Sequence, residues 1–527
     1  MSKCATRSFG YNTRGLSPLS ITTRPTEWAS VPHLAPVLRR AVVALIGAAT
    51  VLELILLFGF LQPLSIKRFP EVVPTPEALA TALGTDGAGA LRFAVPVLGA
   101  FAVFTVAVWL ATRVSGRVGV LVVLAGTLLF SVTLIPINPL GAHDAYYHVG
   151  NARTLWRYGD NPAVMPPITH ADDPFFPYVA SWDDFPSAYG PVWYVTSGLL
   201  LPFVGDGLWL NVLALKAITA ASLVAATVLV MLLAERLRSG AAVAAGVLVG
   251  WNPLLLWETA GNGHNDVLIA VFALAALYAV SRRWWVAVFP LLALSVLTKY
   301  VLVLLGPVLL IGLWRRPEVP RRQLAVSVGL AVLITLAAYA PFFAGRETIT
   351  SFGREGANPT SSPGALLYAL VSRWLAFDRS ASAAIMRLVL VPPFLVTYAV
   401  LLWRTRRHNT TPALVRTCFW VVFIFLVVVK WWFWPWYLLW VVPLAALLPG
   451  SRQALLAAVF SATAMLIYVP YYWFLHGDAF RILVRDALVQ QAAIAATGFL
   501  VPVLVAVASY WRHMPRLAPR FQRVGKE

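Results

Sequence analysis

Asp144 is the first residue whose type and position suggest chemistry, because it lies a few residues beyond a long apolar stretch, in Gly-Ala-His-Asp at 141–144. A carboxylate held at the mouth of a helical bundle is partly withdrawn from water. Burial raises the pKa of such a group and makes it a better proton acceptor. Asp144 is therefore a candidate catalytic base, although a helix-capping aspartate or a solvated loop charge would give the same local sequence.

A second polar group, His264, Asn265 and Asp266, follows a glycine-containing turn at 261–263 between two apolar stretches. The glycines permit a tight turn, and the three side chains stand at the start of the next helix. An N-cap role explains either Asn265 or Asp266. Capping does not explain why all three residues occur together, so they are candidate site residues.

Three of the six lysines, Lys216, Lys299 and Lys430, lie in or against apolar stretches. A charge in a membrane span costs about 2.5–3.5 kcal/mol on insertion scales and usually has a function. A cation at this depth suits a phosphate held at the membrane surface. The alternative is that the long side chains reach the lipid headgroups and serve only as anchors.

The segment 430–440 has the sequence Lys-Trp-Trp-Phe-Trp-Pro-Trp-Tyr-Leu-Leu-Trp. Such a density of aromatic residues is typical of the belt that proteins place at a membrane interface. Aromatic faces also stack on sugar rings. Because Pro435 breaks the helix, several rings, including Trp434, Trp436 and Tyr437, can face one cavity.

The elements that must position these residues are membrane-spanning helices. Hydrophobic residues make up 59% of the 527-residue chain and charged residues 12%, against about 25% charged in soluble domains. Apolar runs long enough to cross a bilayer, ~20 residues, recur along the chain. They predict an all-α, polytopic integral membrane protein with about 14 transmembrane segments, at 41–61, 92–111, 118–137, 210–234, 240–257, 266–281, 284–298, 300–313, 322–344, 384–403, 412–430, 436–449, 454–474 and 487–511.

The net charge of +19 does not indicate nucleic-acid binding, because the arginines form short clusters between apolar runs, as in cytoplasmic loops. All clusters fall on one side if 189–204 and 365–377 lie at the outer interface and 284–313 forms a hairpin of short helices. Both termini are then cytoplasmic. The outer face receives the loops 62–90, 138–209, 258–265, 345–383, 431–435 and 475–486.

On these residues the chain resembles bacterial polyprenol-phosphate-dependent glycosyltransferases of the GT-C fold, especially actinobacterial α-mannosyltransferases. The resemblance covers roughly 90–510. It rests on Asp144 in the first long outer loop, Gly-Asp-Asn-Pro at 159–162, Tyr-Gly-Pro at 189–191, the His264–Asp266 turn, Thr-Lys at 298–299 and Pro-Trp-Tyr-Leu-Leu-Trp at 435–440. Many members have two adjacent acidic residues in this loop, where this chain has His143 and Asp144.

The resemblance implies an inverting plasma-membrane enzyme that moves a hexose, mannose by analogy, from a polyprenyl-phosphate donor to a glycan or glycolipid on the outer face. Asp144 would be the base. Lys299, supported by Lys216 and Lys430, would bind the donor phosphate. The sugar or acceptor would contact His143, Tyr189, His264, Asn265, Asp266, Trp434, Trp436 and Tyr437.

The predicted domain organisation is a disordered cytoplasmic arm at 1–38, a GT-C-like transmembrane domain at 39–511 and a basic cytoplasmic tail at 512–527. No cofactor is expected to be required. A divalent cation has candidate ligands in the carboxylate pairs at 172–173 and 183–184, but their spacing enforces no ligand geometry. Two alternatives stay open at this point: a flippase or transporter of lipid-linked sugars, and a ligase or polymerase of lipid-linked glycans.

Overall fold

The computed structural model describes residues 34–69, 75, 77–179, 182–350, 359–375, 379–475 and 486–511. Across these ranges every regular element is a helix, and the only strand-like pairings are two isolated bridges, Ser65 with Ile137 and Thr360 with Trp432. The predicted all-α class is confirmed. The predicted arm lies mostly, and the basic tail wholly, outside the described residues, so the domain division stays a prediction.

Nine helices in the described ranges are long and apolar enough to cross a bilayer, and they make the chain a polytopic membrane protein. They are Arg39–Leu64, Gly87–Ala111, Gly116–Leu134, Leu208–Leu237, Arg321–Phe342, Ala381–Thr405, Thr411–Val429, Arg452–Phe474 and Leu488–Ala508. A tenth span results if Pro253–Gly261 and Asp266–Arg282 are counted as one broken span, in which the helix direction bends by 117°.

The predicted count of 14 spans is not confirmed, because several of the predicted segments are short helices. Trp285–Thr298, Tyr300–Trp314 and Pro435–Ala446 have 10–17 residues each. At 1.5 Å per residue, 14 residues extend only about 21 Å, less than the ~30 Å of a bilayer core. The predicted span 240–257 is interrupted as well, because Ala242–Gly250 ends before Asn252 caps a new helix at Pro253.

The helices pack closely where small residues face large rings. The indole of Trp251 donates a hydrogen bond to the carbonyl of Val123 at 3.0 Å, across two helices. Gly126 makes room for this ring, since an added Cβ would lie 2.8 Å from it. Large apolar side chains on the outer helix faces, such as Leu336 and Val396, are instead 64% and 65% exposed. An apolar outer surface of this kind is what a lipid environment requires.

Candidate functional site

Distant parts of the chain meet around one cavity of about 480 Å³, with lining residues from 141–147, 182–189, 432–437 and 471–472 together with Lys299. The loops 138–209 and 431–435 belong to the face that the arginine pattern predicted to be the outer one. A cavity of this size is within the range of small-ligand sites. Its walls combine aromatic rings with one carboxylate and one ammonium group.

Asp144 begins the helix Asp144–Trp156 and lines the cavity with 21% of its side chain exposed. Its Oδ2 lies 3.2 Å from Nε2 of His264, whereas Oδ1 has no hydrogen-bond partner among the residues described. Burial raises the pKa of Asp144, but the hydrogen bond and charge of His264, helped by Lys299, outweigh it and lower the pKa to about 2. The prediction that the pKa would be raised is wrong, because it considered burial without the cationic partners.

His264 is buried between two carboxylates. Its Nδ1 lies 3.0 Å from Oε2 of Glu258, while its Nε2 faces Asp144. The ring stacks on Trp436 at 4.0 Å, and Trp436 stacks on Trp434 at 4.9 Å. The turn that carries His264 depends on Gly263, whose φ of +79° is in the region that favours glycine. His264 therefore contacts Asp144 and the aromatic wall, and it is not among the residues that line the cavity.

Lys299 lies in extended backbone between Val288–Thr298 and the short helix Tyr300–Leu304, and its side chain is buried at the cavity wall. Its Nζ is 3.3 Å from Oδ1 of Asp266. The ammonium also lies over the rings of Tyr189, Tyr437 and Trp440, at 5.0, 5.2 and 5.6 Å from their centres. Aromatic faces attract a cation and add to the ion pair.

Tyr-Gly-Pro at 189–191 is the element that brings the long loop to this lysine. The amide of Gly190 donates to the carbonyl of Thr298 at 3.1 Å. A side chain at position 190 would collide, since an added Cβ would lie 2.1 Å from the carbonyl oxygen of Leu297. Glycine at this position therefore lets the loop approach the end of the helix Val288–Thr298 and places the ring of Tyr189 against Lys299.

The other two candidate lysines differ in their positions. Lys216 is fully buried, and its Nζ donates to the carbonyl of Ile137 at 2.5 Å, at the end of a membrane helix. Lys216 is not among the residues that line the cavity, because its ammonium group is hydrogen-bonded to this backbone carbonyl. Its geometry is that of a structural lysine and does not support phosphate binding. Lys430 is half-buried, with Nζ 5.0 Å from the ring centre of Tyr437, a residue of the cavity wall.

The predicted sugar-contacting residues divide into two groups. His143, Tyr189, Trp434, Trp436 and Tyr437 line the cavity. Asn265 and Asp266 are buried behind the wall, and Asp266 is held there by Lys299 and by the indole of Trp440, which donates to Oδ1 at 2.7 Å. This position does not support direct sugar contact by Asp266. The amide group of Asn265 has no hydrogen-bond partner among the described side chains and backbone.

Several site residues were absent from the sequence prediction. The lining has a second aromatic group, formed by Trp182, Phe185 and Trp432. The ring centre of Trp182 lies 5.7 Å from that of Phe185 and 5.5 Å from that of Trp432. Trp182 also has a φ of +69°, which is rare for a bulky residue and is a known feature of functional sites. Tyr471 and Tyr472 complete the wall. Aromatic residues in the long loop were the available signal.

The carboxylate pairs of the long loop do not form a metal site in the structure. Asp173 accepts hydrogen bonds from Arg153 and Tyr158; burial raises its pKa, but these partners outweigh it and lower the pKa. Within the described ranges, no group of three His, Cys, Asp or Glu side chains is arranged to hold a metal ion. The prediction about metal dependence stays a prediction.

The fold and the cavity define a class: a multi-pass helical membrane protein with a carboxylate, a cation and aromatic walls around one ligand-sized space. Residues 44–315, just over half of the chain, match the profile of the alpha-(1->6)-mannopyranosyltransferase N-terminal domain. The chain belongs to this family and is therefore a glycosyltransferase, and its membership supports a mannosyltransferase activity. The match includes Asp144, His264 and Lys299 but ends before the aromatic segment 430–440. No curated protein matches the chain.

Proposed function

We propose that the protein transfers mannose, with inversion, from a polyprenyl-phosphate donor to a hydroxyl group of a glycan or glycolipid at the outer face of the plasma membrane. One observation carries the proposal. A carboxylate with an unoccupied oxygen and a buried lysine line the same aromatic cavity. These are the groups that a displacement at a sugar phosphate needs: a proton acceptor for the attacking hydroxyl and a cation for the leaving phosphate.

The proposed reaction is a single displacement. The acceptor oxygen forms a bond to the anomeric carbon of the donor sugar, and the bond from that carbon to the phosphate oxygen breaks. The electron pair leaves with the lipid phosphate, and the acceptor proton passes to Oδ1 of Asp144. A carboxylate with a low pKa is a weak base, so it takes the proton late, when the sugar carbon is already electron-deficient and the hydroxyl has become acidic.

Lys299 is the proposed partner of the leaving phosphate. The phosphate leaves with more negative charge than it carried in the donor, and a fixed cation stabilises that change. The ion pair with Asp266 and the three surrounding rings hold the ammonium in place before the donor binds. Lys430, beside Tyr437, is the proposed support, and Lys216 is not included because backbone carbonyls hold it.

The aromatic walls are the proposed sugar-binding surfaces. Trp436 is stacked between His264 and Trp434, at 4.0 and 4.9 Å, so the proposed sugar-stacking faces are those of Trp434 and of the second group, Trp182, Phe185 and Trp432. Indole faces suit the C–H faces of pyranose rings, and His143 and Tyr189 offer polar groups for hydroxyls. The family description further suggests an α-(1→6) linkage; with inversion, that product requires a β-linked donor sugar.

The test is to incubate the purified protein in detergent with a panel of polyprenyl-phosphate sugars, each prepared as the α and the β anomer, plus a mannoside acceptor. We expect release of the lipid phosphate and one added mannose from the β-linked mannose donor alone. An α-linked product formed from the α anomer would contradict inversion. Transfer of a whole glycan block would favour the ligase, and donor movement across proteoliposomes without phosphate release would favour the flippase.

A further inference from the structure

Glu258 is a buried carboxylate that the displacement described above does not use. It lies in the helical turn Trp257–Gly261 and is fully buried. Its Oε1 accepts a hydrogen bond from the hydroxyl of Tyr468 at 2.7 Å, and its Oε2 accepts one from the amide of Asn262 at 3.0 Å. Both oxygens accept hydrogen bonds, which is the pattern that suits an ionised carboxylate, and a buried charge of this kind needs a cationic partner.

His264 supplies that cation. Its Nδ1 lies 3.0 Å from Oε2 of Glu258 and 3.1 Å from the carbonyl oxygen of the same residue, and its Nε2 lies 3.2 Å from Oδ2 of Asp144. With both acids ionised, every one of these neighbours is an acceptor, so each ring nitrogen carries a hydrogen. The ring is therefore an imidazolium between two carboxylates, and its stacking on Trp436 fixes its plane.

On the basis of the proposed function, we infer that Glu258 is a positioning residue that acts on the base Asp144 through His264. The imidazolium occupies Oδ2 of Asp144 and leaves Oδ1 for the acceptor hydroxyl. Glu258 keeps the ring charged and oriented, as a carboxylate behind a histidine does in other sites. The three groups carry one net negative charge before the proton reaches Asp144 and none after it. The positive charge of His264 alone would oppose protonation of Asp144, and the negative charge of Glu258 offsets that effect.

The surrounding groups leave this arrangement undisturbed. On the same helix as Asp144, burial lowers the pKa of His148 to about 3 against the opposing effect of Asp144, so His148 is neutral at ordinary pH. Lys299, on the hairpin, contributes a positive charge that Asp266 compensates. The helix Arg452–Phe474 contributes the hydroxyls of Tyr468, on Glu258, and of Tyr472, which donates to the carbonyl of Gly141 at 2.8 Å.

The test compares Glu258→Gln with Tyr468→Phe in the transfer assay. Glutamine can donate to Nδ1 of His264, which then becomes a neutral imidazole whose Nε2–H still donates to Asp144 but no longer supplies a positive charge. We expect kcat to fall by about 10–100-fold, the usual effect of removing such an outer partner, with the donor KM near wild type. The acid limb of kcat/KM should also move to higher pH than in the wild type, because the imidazolium charge then no longer offsets the effect of burial on the pKa of Asp144.

Tyr468→Phe is the matched control, since it removes a hydrogen bond from the other oxygen of Glu258 and leaves the contact with His264 intact. Its acid limb should not move. An unmoved limb in Glu258→Gln, or the same shift in both variants, would overturn the inference and leave Glu258 with a structural role only. A wild-type protein that transfers no sugar would instead overturn the proposed function.

A second measurement applies even if Glu258→Gln does not insert. Nitrogen-15 NMR of the wild-type protein at pH 7, with the His264 signals assigned by their loss in His264→Asn, reports the protons on each ring nitrogen. We expect both nitrogens of His264 to be protonated. A singly protonated ring would overturn the inference, because a neutral imidazole leaves one of the two carboxylates without its donor.

Discussion

The helix Asp144–Trp156 has a carboxylate paired with a cation near each end: Asp144 with His264, and Asp173 with Arg153. The two carboxylates differ in whether their oxygens are already hydrogen-bonded within the protein. At the C-terminal end, Arg153 binds both oxygens of Asp173, with its Nε at 2.9 Å from each. The same carboxylate also accepts from the hydroxyl of Tyr158 at 2.6 Å and the amide of Phe175 at 2.7 Å. The acceptor capacity of Asp173 is filled by the protein itself.

At the N-terminal end, only one oxygen of Asp144 has a partner among the described residues, and the other faces a cavity of about 480 Å³. The space beside Arg153 and Asp173 has a volume of about 10 Å³, which is room for about one water molecule. Both ends combine buried acids with cations, so charge and burial do not identify a site. An unfilled acceptor beside a ligand-sized space does identify one.

The largest expected effect comes from removing the base. Asp144→Asn keeps the size and hydrogen bonding of the side chain but removes the proton-accepting charge, so transfer should fall by roughly 10²–10⁴-fold, the usual contribution of an acid–base group. Single-turnover kinetics, with enzyme in excess over donor and with saturating acceptor, will measure this. Near-normal turnover in folded, inserted protein would show that the open oxygen of Asp144 is not the base.

The next effect concerns the donor phosphate. Hydrogen bonds to charged groups contribute about 1.5–3 kcal/mol, so Lys299→Met should lower kcat/KM for the donor about 10–150-fold, with acceptor binding little changed. Lys299→Arg should recover part of the loss, because the charge is restored in a different shape. Donor titrations of each variant will measure the effect.

Two control variants make this result interpretable. Lys216→Met removes a buried lysine outside the cavity and should reduce stability without changing the donor KM. Lys299→Met combined with Asp266→Asn removes both charges of the pair, and should restore stability without restoring donor binding. A donor KM that responds equally to the loss of Lys216 and of Lys299 would contradict the phosphate role.

At the other end of the helix, the expected change is in stability and not in chemistry. Asp173→Asn leaves Arg153 with Asp206, 2.8 Å away and partly exposed, as its remaining carboxylate. The loss of stability should therefore stay below the about 3–5 kcal/mol that breaking a buried pair outright costs. Thermal denaturation in detergent should show the loss, while kcat of the folded fraction stays at the wild-type value. A large fall in kcat without a loss of stability would remove the distinction between the two ends.

The pH dependence of the wild type should be weak on the acid side. The pKa of Asp144 is about 2 in the folded protein against an ordinary 3.8, so its ionised form stabilises the fold above about pH 4, and that contribution is lost as the pH falls from 4 towards 2. The base accordingly stays ionised throughout pH 5–7. We expect kcat/KM to be flat over that interval, and a fall centred near pH 6 would assign the limiting titration to another group.

The smallest expected effect is that of chelation. The cavity contains a lysine for the proposed leaving phosphate, and the carboxylate of Asp173 in the long loop is already paired with Arg153. Transfer measured with EDTA should match transfer without it. Activity that disappears with EDTA and returns with Mg²⁺ or Mn²⁺ would direct attention to the acidic residues of the long loop.

The sequence by itself determined the membrane-embedded helical class and part of the cavity wall. Hydropathy and proline breaks are local properties, so the long helices, the aromatic segment at 430–440 and the position of Asp144 beyond an apolar stretch could be predicted from neighbours along the chain. The break between two short helices at Lys299 was predictable in the same way. The number of spans was not, because short apolar helices have the composition of a span without its length.

Tertiary structure alone decided the state of the charged groups. Asp144 and His264 are 120 residues apart in sequence, and Glu258 and Tyr468 are 210 apart. Burial alone would raise the pKa of Asp144; its partner lowers it. In the same way, a backbone carbonyl removes Lys216 from the site and an ion pair retains Lys299 there. The energy of a buried charge depends on what lies within a few ångströms of it, and that is fixed by packing between helices, not by order along the chain.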